Sequence, residues 1–120
     1  VQSTRFNGIT IQEPYLSQIL DGSKVWEYRR YDLPDDFCNV PVLLLSRSQV
    51  RGYVVFSHSA KLEEPQVFTL ANGRQYRATH AWRISQVGRI KHAVRYRPVA
   101  KQSLVRNVET DADITEESFG

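Results

Sequence analysis

The chain has 120 residues, 41% hydrophobic and 24% charged, which suits one domain with a packed core and excludes global disorder. Its longest apolar run, Val40–Leu45 ("VPVLLL"), is strand-sized; no window approaches the roughly 18 apolar residues of a membrane span, and no signal peptide is read. The net charge of +3 hides an asymmetry, since residues 1–105 carry 15 Lys+Arg against 8 Asp+Glu while residues 106–120 carry one arginine and five acids.

Taken in chain order, Val1–Asn7 reads as a loose arm and Gly8–Ile11 ("GITI") as a short strand. Pro14 suits the first turn of a helix, and Tyr15, Leu16, Ile19 and Leu20 recur at helical spacing, so Glu13–Asp21 is expected as a helix stopped by Gly22. Lys24–Tyr31 ("KVWEYRRY"), rich in aromatic and β-branched residues, reads as a strand, and "DLPDDF" as a loop. Val40–Ser46 is a buried strand with Pro41 near its start, and Gly52–Ser59 its hairpin partner. Leu62–Tyr76 is expected as a connection with a tight turn at Asn72–Gly73. Thr79–Ile90 and His92–Val99 read as two more strands, "KQSLVRNV" as a short final helix or strand, and Glu109–Gly120 as a flexible acidic tail able to fold back over basic surface. The sum is a mainly-β (α+β) fold: a small, mostly antiparallel pseudo-β-barrel of five to six strands, with one or two short helices near its mouth. Its domain spans residues 1–108.

Chemistry-bearing signatures are few. There is no Gly-rich phosphate loop, GxSxG elbow or HExxH, and Cys38 with His58, His80 and His92 lacks zinc-site spacing, so no metal or cofactor is expected. The single cysteine excludes an internal disulfide and points to a reducing, cytoplasmic setting. Pro65–Val108 contains no acid but nine basic residues, seven of them arginine, the side chain suited to bidentate phosphate contact and base stacking. That composition points to a polyanion.

The segment Gly22–Arg30, "GSKVWEYRR", concentrates charge on a strand. Alternation puts Val25, Glu27 and Arg29 on one face and Lys24, Trp26, Tyr28 and Arg30 on the other. A carboxylate and a guanidinium on an inward face must pair or meet a ligand. Lys24 has the wrong parity, but just after Gly22 it can reach the same cleft from the turn.

"ITIQEPYLSQILDGSKVWEYRR" resembles the start of ASCH domains, members of the PUA-like superfamily: a strand, a short helix ending "IL-x-G-x-K", then "x-x-E-x-R", supplied here by Ile19, Leu20, Gly22, Lys24, Glu27 and Arg29. "VPVLLLSRSQVRGYVVFSHSAKL" is similar to the family's next hairpin, with Gly52 at its glycine. The resemblance covers Gly8 to Leu62 and implies a pseudo-barrel whose cleft holds RNA, DNA or a modified nucleoside, with Lys24, Glu27 and Arg29 in the cleft motif. It also implies a possible enzyme, since some members are amidohydrolases acting on acetylated cytidine and others ribonucleases. Those amidohydrolases carry a threonine where this chain has Glu27.

The expected function is nucleic-acid binding. Lys24, Arg29 and Arg30 would meet phosphate or a base edge, and Glu27 would orient Arg29 or accept from a base amino group. Tyr15, Trp26 or Trp82 would stack on an unpaired base; Arg47 would line the cleft, and Arg83, Arg95 and Arg97 would hold the backbone. The alternative is a hydrolase using Lys24 and Glu27 as acid and base.

Overall fold

A computed structural model describes residues 5–100 and 102–120. Six strands form one sheet: β1 (Asn7–Thr10), β2 (Trp26–Arg29), β3 (Pro41–Ser46), β4 (Gln49–Thr69), β5 (Gln75–Arg95) and β6 (Leu104–Val105), in the spatial order β2-β5-β4-β3-β1-β6. One helix, α1 (Tyr15–Leu20), lies between β1 and β2, and two 3₁₀ turns occupy Asp35–Phe37 and Glu116–Ser118. The expected mainly-β fold with a single early α-helix is therefore what forms. Pairing is antiparallel except for β1 with β3. Those two strands are joined through α1 and β2, the long crossover that a parallel pair requires.

Two expectations about the strands change. The stretches 79–90 and 92–99 are not separate strands: β5 runs unbroken through Gln75–Arg95. The connection expected at Leu62–Tyr76 is mostly strand, because β4 continues to Thr69 and only the tip, residues 70–74, turns. Pro65 is compatible with that strand because it sits in a large register shift between Lys61 and Gln66, where it owes no ladder hydrogen bond. The Asn72–Gly73 turn forms where expected, with Gly73 at φ 82° and the Leu70 N–H bonded to the Arg74 carbonyl. Four register shifts interrupt the β4–β5 ladder, and each bends the ribbon. Its distal arm (66–69 with 75–78) consequently folds back, and Phe68 meets Tyr15 at the start of α1 and Tyr28 on β2.

β3 explains why the sheet is covered on both faces. Val42 and Leu44 pack on one side with Ile9, Leu16, Ile19, Phe37, Phe56 and Trp82. Leu43 and Leu45 pack on the other with Val50, Val94, Val105, Val108 and Ile114. An uninterrupted apolar run is the mark of a strand buried on both faces. The second face is covered by the C-terminal segment. Residues 109–120, expected as a flexible tail, lie against β5: the Asp111 N–H donates to the Arg95 carbonyl while the Arg95 N–H donates to Asp111 Oδ1, Gly120 N–H donates to the Arg89 carbonyl, and Phe119 packs edge-on against Phe6 and Tyr53.

β2 and β6 are the two ends of the sheet, and they do not pair. Curling nevertheless brings them to opposite walls of one cavity. Arg29 Nη2 donates to the Thr10 carbonyl at 3.3 Å, and the Tyr31 hydroxyl lies 3.4 Å from Ser103 Oγ. The barrel is thus a pseudo-barrel, held across its open seam by side chains in place of a backbone ladder.

Candidate functional site

The seam between β2 and the β1–β6 edge opens into a cavity of about 730 Å³, lined among others by Thr10, Tyr15, Lys24, Glu27, Tyr28, Arg29, Phe68, Arg74, Tyr76, Tyr96 and Ser103. This is ordinary size for a small-ligand site. Local sequence builds its charged wall. Gly22, at φ 84°, ends α1, and the Lys24 N–H donates to the Gln18 carbonyl at 3.0 Å, which starts β2 beside the helix end. Strand alternation then turns Glu27 and Arg29 inward; both are under a tenth exposed.

Three charges converge there. Lys24 Nζ lies 3.6 Å from Glu27 Oε1, and Arg29 Nη2 lies 3.7 Å from Glu27 Oε2. Lys24 also donates to the Trp26 carbonyl, and its ammonium sits 4.8 Å from the Tyr28 ring centroid and 5.7 Å from that of Tyr15. Burial among these rings pushes the Lys24 pKa below its ordinary value of 10.5, with Glu27 partly opposing the shift. Glu27 Oε1 accepts the Tyr28 N–H at 3.0 Å. Glu27 Oε2 is buried and accepts no hydrogen bond. A carboxylate oxygen in that state costs free energy until a donor reaches it.

An aromatic wall faces the charges. Phe68 and Tyr76 are register partners on the ribbon arm, and the Phe68 ring lies 5.2 Å from that of Tyr28 and 6.2 Å from that of Tyr15. Burial raises the Tyr76 pKa above its ordinary 10.0, against the pull of Arg29 and Arg30.

Of the residues singled out from the sequence, Tyr15, Lys24, Glu27 and Arg29 line this cavity; Trp26, Arg30, Arg47, Trp82, Arg83, Arg95 and Arg97 do not. Trp82 is a core residue, fully buried, with Nε1 donating to the Tyr31 carbonyl, so no ring face is left for a ligand. Trp26 carries Arg83 over its ring at 5.6 Å and His58 edge-on at 5.8 Å. Arg30 stacks on Tyr76 at 4.7 Å, behind the cavity wall. Arg47 is exposed in the β3–β4 turn, where it and Ser48 both have positive φ. Arg97 pairs with Glu109 at 3.6 Å, and Arg95 is tied by its backbone to Asp111. Tyr28, Phe68, Arg74 and Tyr76 were missed. Period-2 alternation in "VFT" and "RQYR" flanking the Asn-Gly turn was the signal that could have placed Phe68 and Tyr76 together.

No cluster of three or more metal-ligating side chains occurs among the described residues, and none of their helices is long and apolar enough to cross a membrane. No protein-family model matches the chain, and neither the curated proteins nor the solved structures contain a match.

Proposed function

We propose that this chain is a nucleic-acid-binding module of PUA-like type, which takes an unpaired or modified base of RNA or DNA into the β2 seam. The observation that carries the reading is the Glu27 carboxylate: it lies between two cations in the lining of a cavity walled by aromatic rings, and its buried Oε2 accepts no hydrogen bond. A base has the matching chemistry, with a π-face for Tyr28, Phe68 or Tyr76 and amino and carbonyl groups on its edge for Glu27 and the neighbouring Lys24 and Arg29. The resemblance of Gly8–Leu62 to ASCH domains supports the same cleft. It also accounts for Lys24, Glu27 and Arg29 occurring together.

The test is fluorescence anisotropy with labelled single-stranded RNA and DNA across a salt series. Binding is expected to weaken with a log–log slope of about −0.7 per phosphate contacted. Phe68→Leu, which keeps apolar volume but removes the π-face, is expected to weaken binding about tenfold, near the value of one stacked base. No binding, or a flat salt response with unchanged Phe68→Leu affinity, would sink the reading.

One observation favours hydrolysis as the second reading: Lys24 is both held below its ordinary pKa and 3.6 Å from Glu27. An amine poised closer to neutrality beside a carboxylate suits general acid/base work on RNA or an acylated cytidine. Turnover lost in Lys24→Ala and Glu27→Ala variants that still fold would establish it; absence of turnover across such substrates leaves binding as the function.

A further inference from the structure

The cavity is not electrically balanced. Its charged lining residues are Lys24, Arg29, Arg74 and Glu27, a formal excess of two positive charges when Lys24 is protonated. Lys24 and Arg29 both engage Glu27. Arg74 engages nothing: its guanidinium has no hydrogen-bond or ion-pair partner among the described residues, although its backbone is fixed at both ends. The Arg74 N–H donates to Asn72 Oδ1 at 2.9 Å and its carbonyl accepts the Leu70 N–H at 2.8 Å. Arg74 is exposed, so its guanidinium is hydrated and, held on a pinned turn at the cavity wall, is open to an anion with matching fork geometry.

The wall has an order. Arg74 stands in the tip turn just before β5, and it lines the cavity together with Tyr76. Tyr76 pairs with Phe68, Phe68 meets Tyr28, and Tyr28 meets the Lys24 ammonium beside Glu27. A ligand spanning this wall carries an anion at one end, a flat ring in the middle and a hydrogen-bonding edge at the other. A nucleotide has that layout, and a phosphate monoester, at about −1.5 to −2, matches the excess charge better than the single charge of a diester.

We propose that the site takes a nucleotide bearing a phosphate monoester, with the phosphate on Arg74 and the base edge on Glu27. This rests on the base-binding reading above and adds to it the terminal phosphate. Free mononucleotides and phosphorylated strand ends share that chemistry.

Calorimetric titration compares the four ribonucleosides with their 5′- and 3′-monophosphates, and short single strands with and without a terminal phosphate. The phosphorylated form is expected to bind about tenfold tighter or more, as for hydrogen bonds to a charged group. Arg74→Ala is expected to remove most of that ratio and Arg74→Lys to restore part of it. Arg77→Ala, outside the cavity lining, removes an equal charge and is expected to preserve the ratio. A preference shown only by strands assigns the site to polynucleotide ends; one shown by mononucleotides too assigns it to nucleotides generally. Equal affinity with and without phosphate, or a ratio unchanged in Arg74→Ala, overturns the phosphate assignment and leaves base binding standing. Failure of every nucleoside, nucleotide and strand to bind overturns both.

Discussion

Replacing Glu27 by Gln tests whether the charge cluster is a desolvated unit. The amide keeps the shape and an acceptor for the Tyr28 N–H but removes the anion between Lys24 and Arg29, whose side chains are 12% and 10% exposed. At an effective dielectric of about 20, an ion pair at the observed 3.6 Å carries about 4–5 kcal/mol of Coulomb attraction before desolvation. Leaving a buried charge without its partner costs about 3–5 kcal/mol. Here water enters from the open seam and Lys24 can release its proton, so about 2–3 kcal/mol is expected. Unfolding entropy of about 2.1 cal/mol/K per residue over 120 residues converts that to a fall in Tm of about 8–12 °C. Chemical and thermal denaturation of both proteins at one pH and salt measure it. A loss below about 1 kcal/mol, or a loss that disappears at about 0.5 M salt, would mean that Glu27 behaves as an exposed surface carboxylate and refute the reasoning.

Lys24 gives a pH signature. Its folded pKa is lowered, so the unfolded chain binds the proton more tightly, and stability rises with pH between the folded value and the ordinary 10.5. Denaturation at about pH 7 and about pH 9.5 is expected to show that rise reduced in Lys24→Met; an identical pH dependence in the two proteins would contradict it. Gly52→Ala places a Cβ 2.3 Å from the Gly88 carbonyl oxygen, a backbone atom in the paired strand, and is expected to cost more than about 2 kcal/mol by chemical denaturation. A loss under about 0.5 kcal/mol would show that the β4–β5 ladder yields easily there. Phe119→Ala removes a ring 4.6 Å from that of Tyr53 and is expected to lower stability by about 1–2 kcal/mol; an unchanged Tm would mean that the C-terminal segment contributes nothing to the second core face.

Much of the first half is legible in the sequence because its signals are local. Helical spacing of Leu16 and Ile19, the glycine stop at Gly22 and the parity of Glu27 and Arg29 each depend on neighbours a few residues apart. The second half depends on pairings between distant residues. β4 and β5 carry four register shifts, and each shift breaks the alternation by which a strand is recognised, so one long ribbon reads as a loop and two strands. Phe68 reaches the cleft only because the ribbon bends. The acidic end misleads for another reason: Glu109, Asp111, Asp113, Glu116 and Glu117 dominate its composition, whereas its position depends on the sparse apolar residues Ile114 and Phe119. The need for such a cover was written in "VLLL", which has no solvent face.

The seam residues also bear on self-association. β2 pairs only with β5, so its outer edge has free backbone groups, and there the Glu27 carboxylate takes the Tyr28 N–H while the Lys24 ammonium takes the Trp26 carbonyl. An edge strand with some of its outward donors and acceptors occupied by its own side chains is a poorer template for a passing strand. The side chains that line the cavity therefore also blunt the free edge of β2.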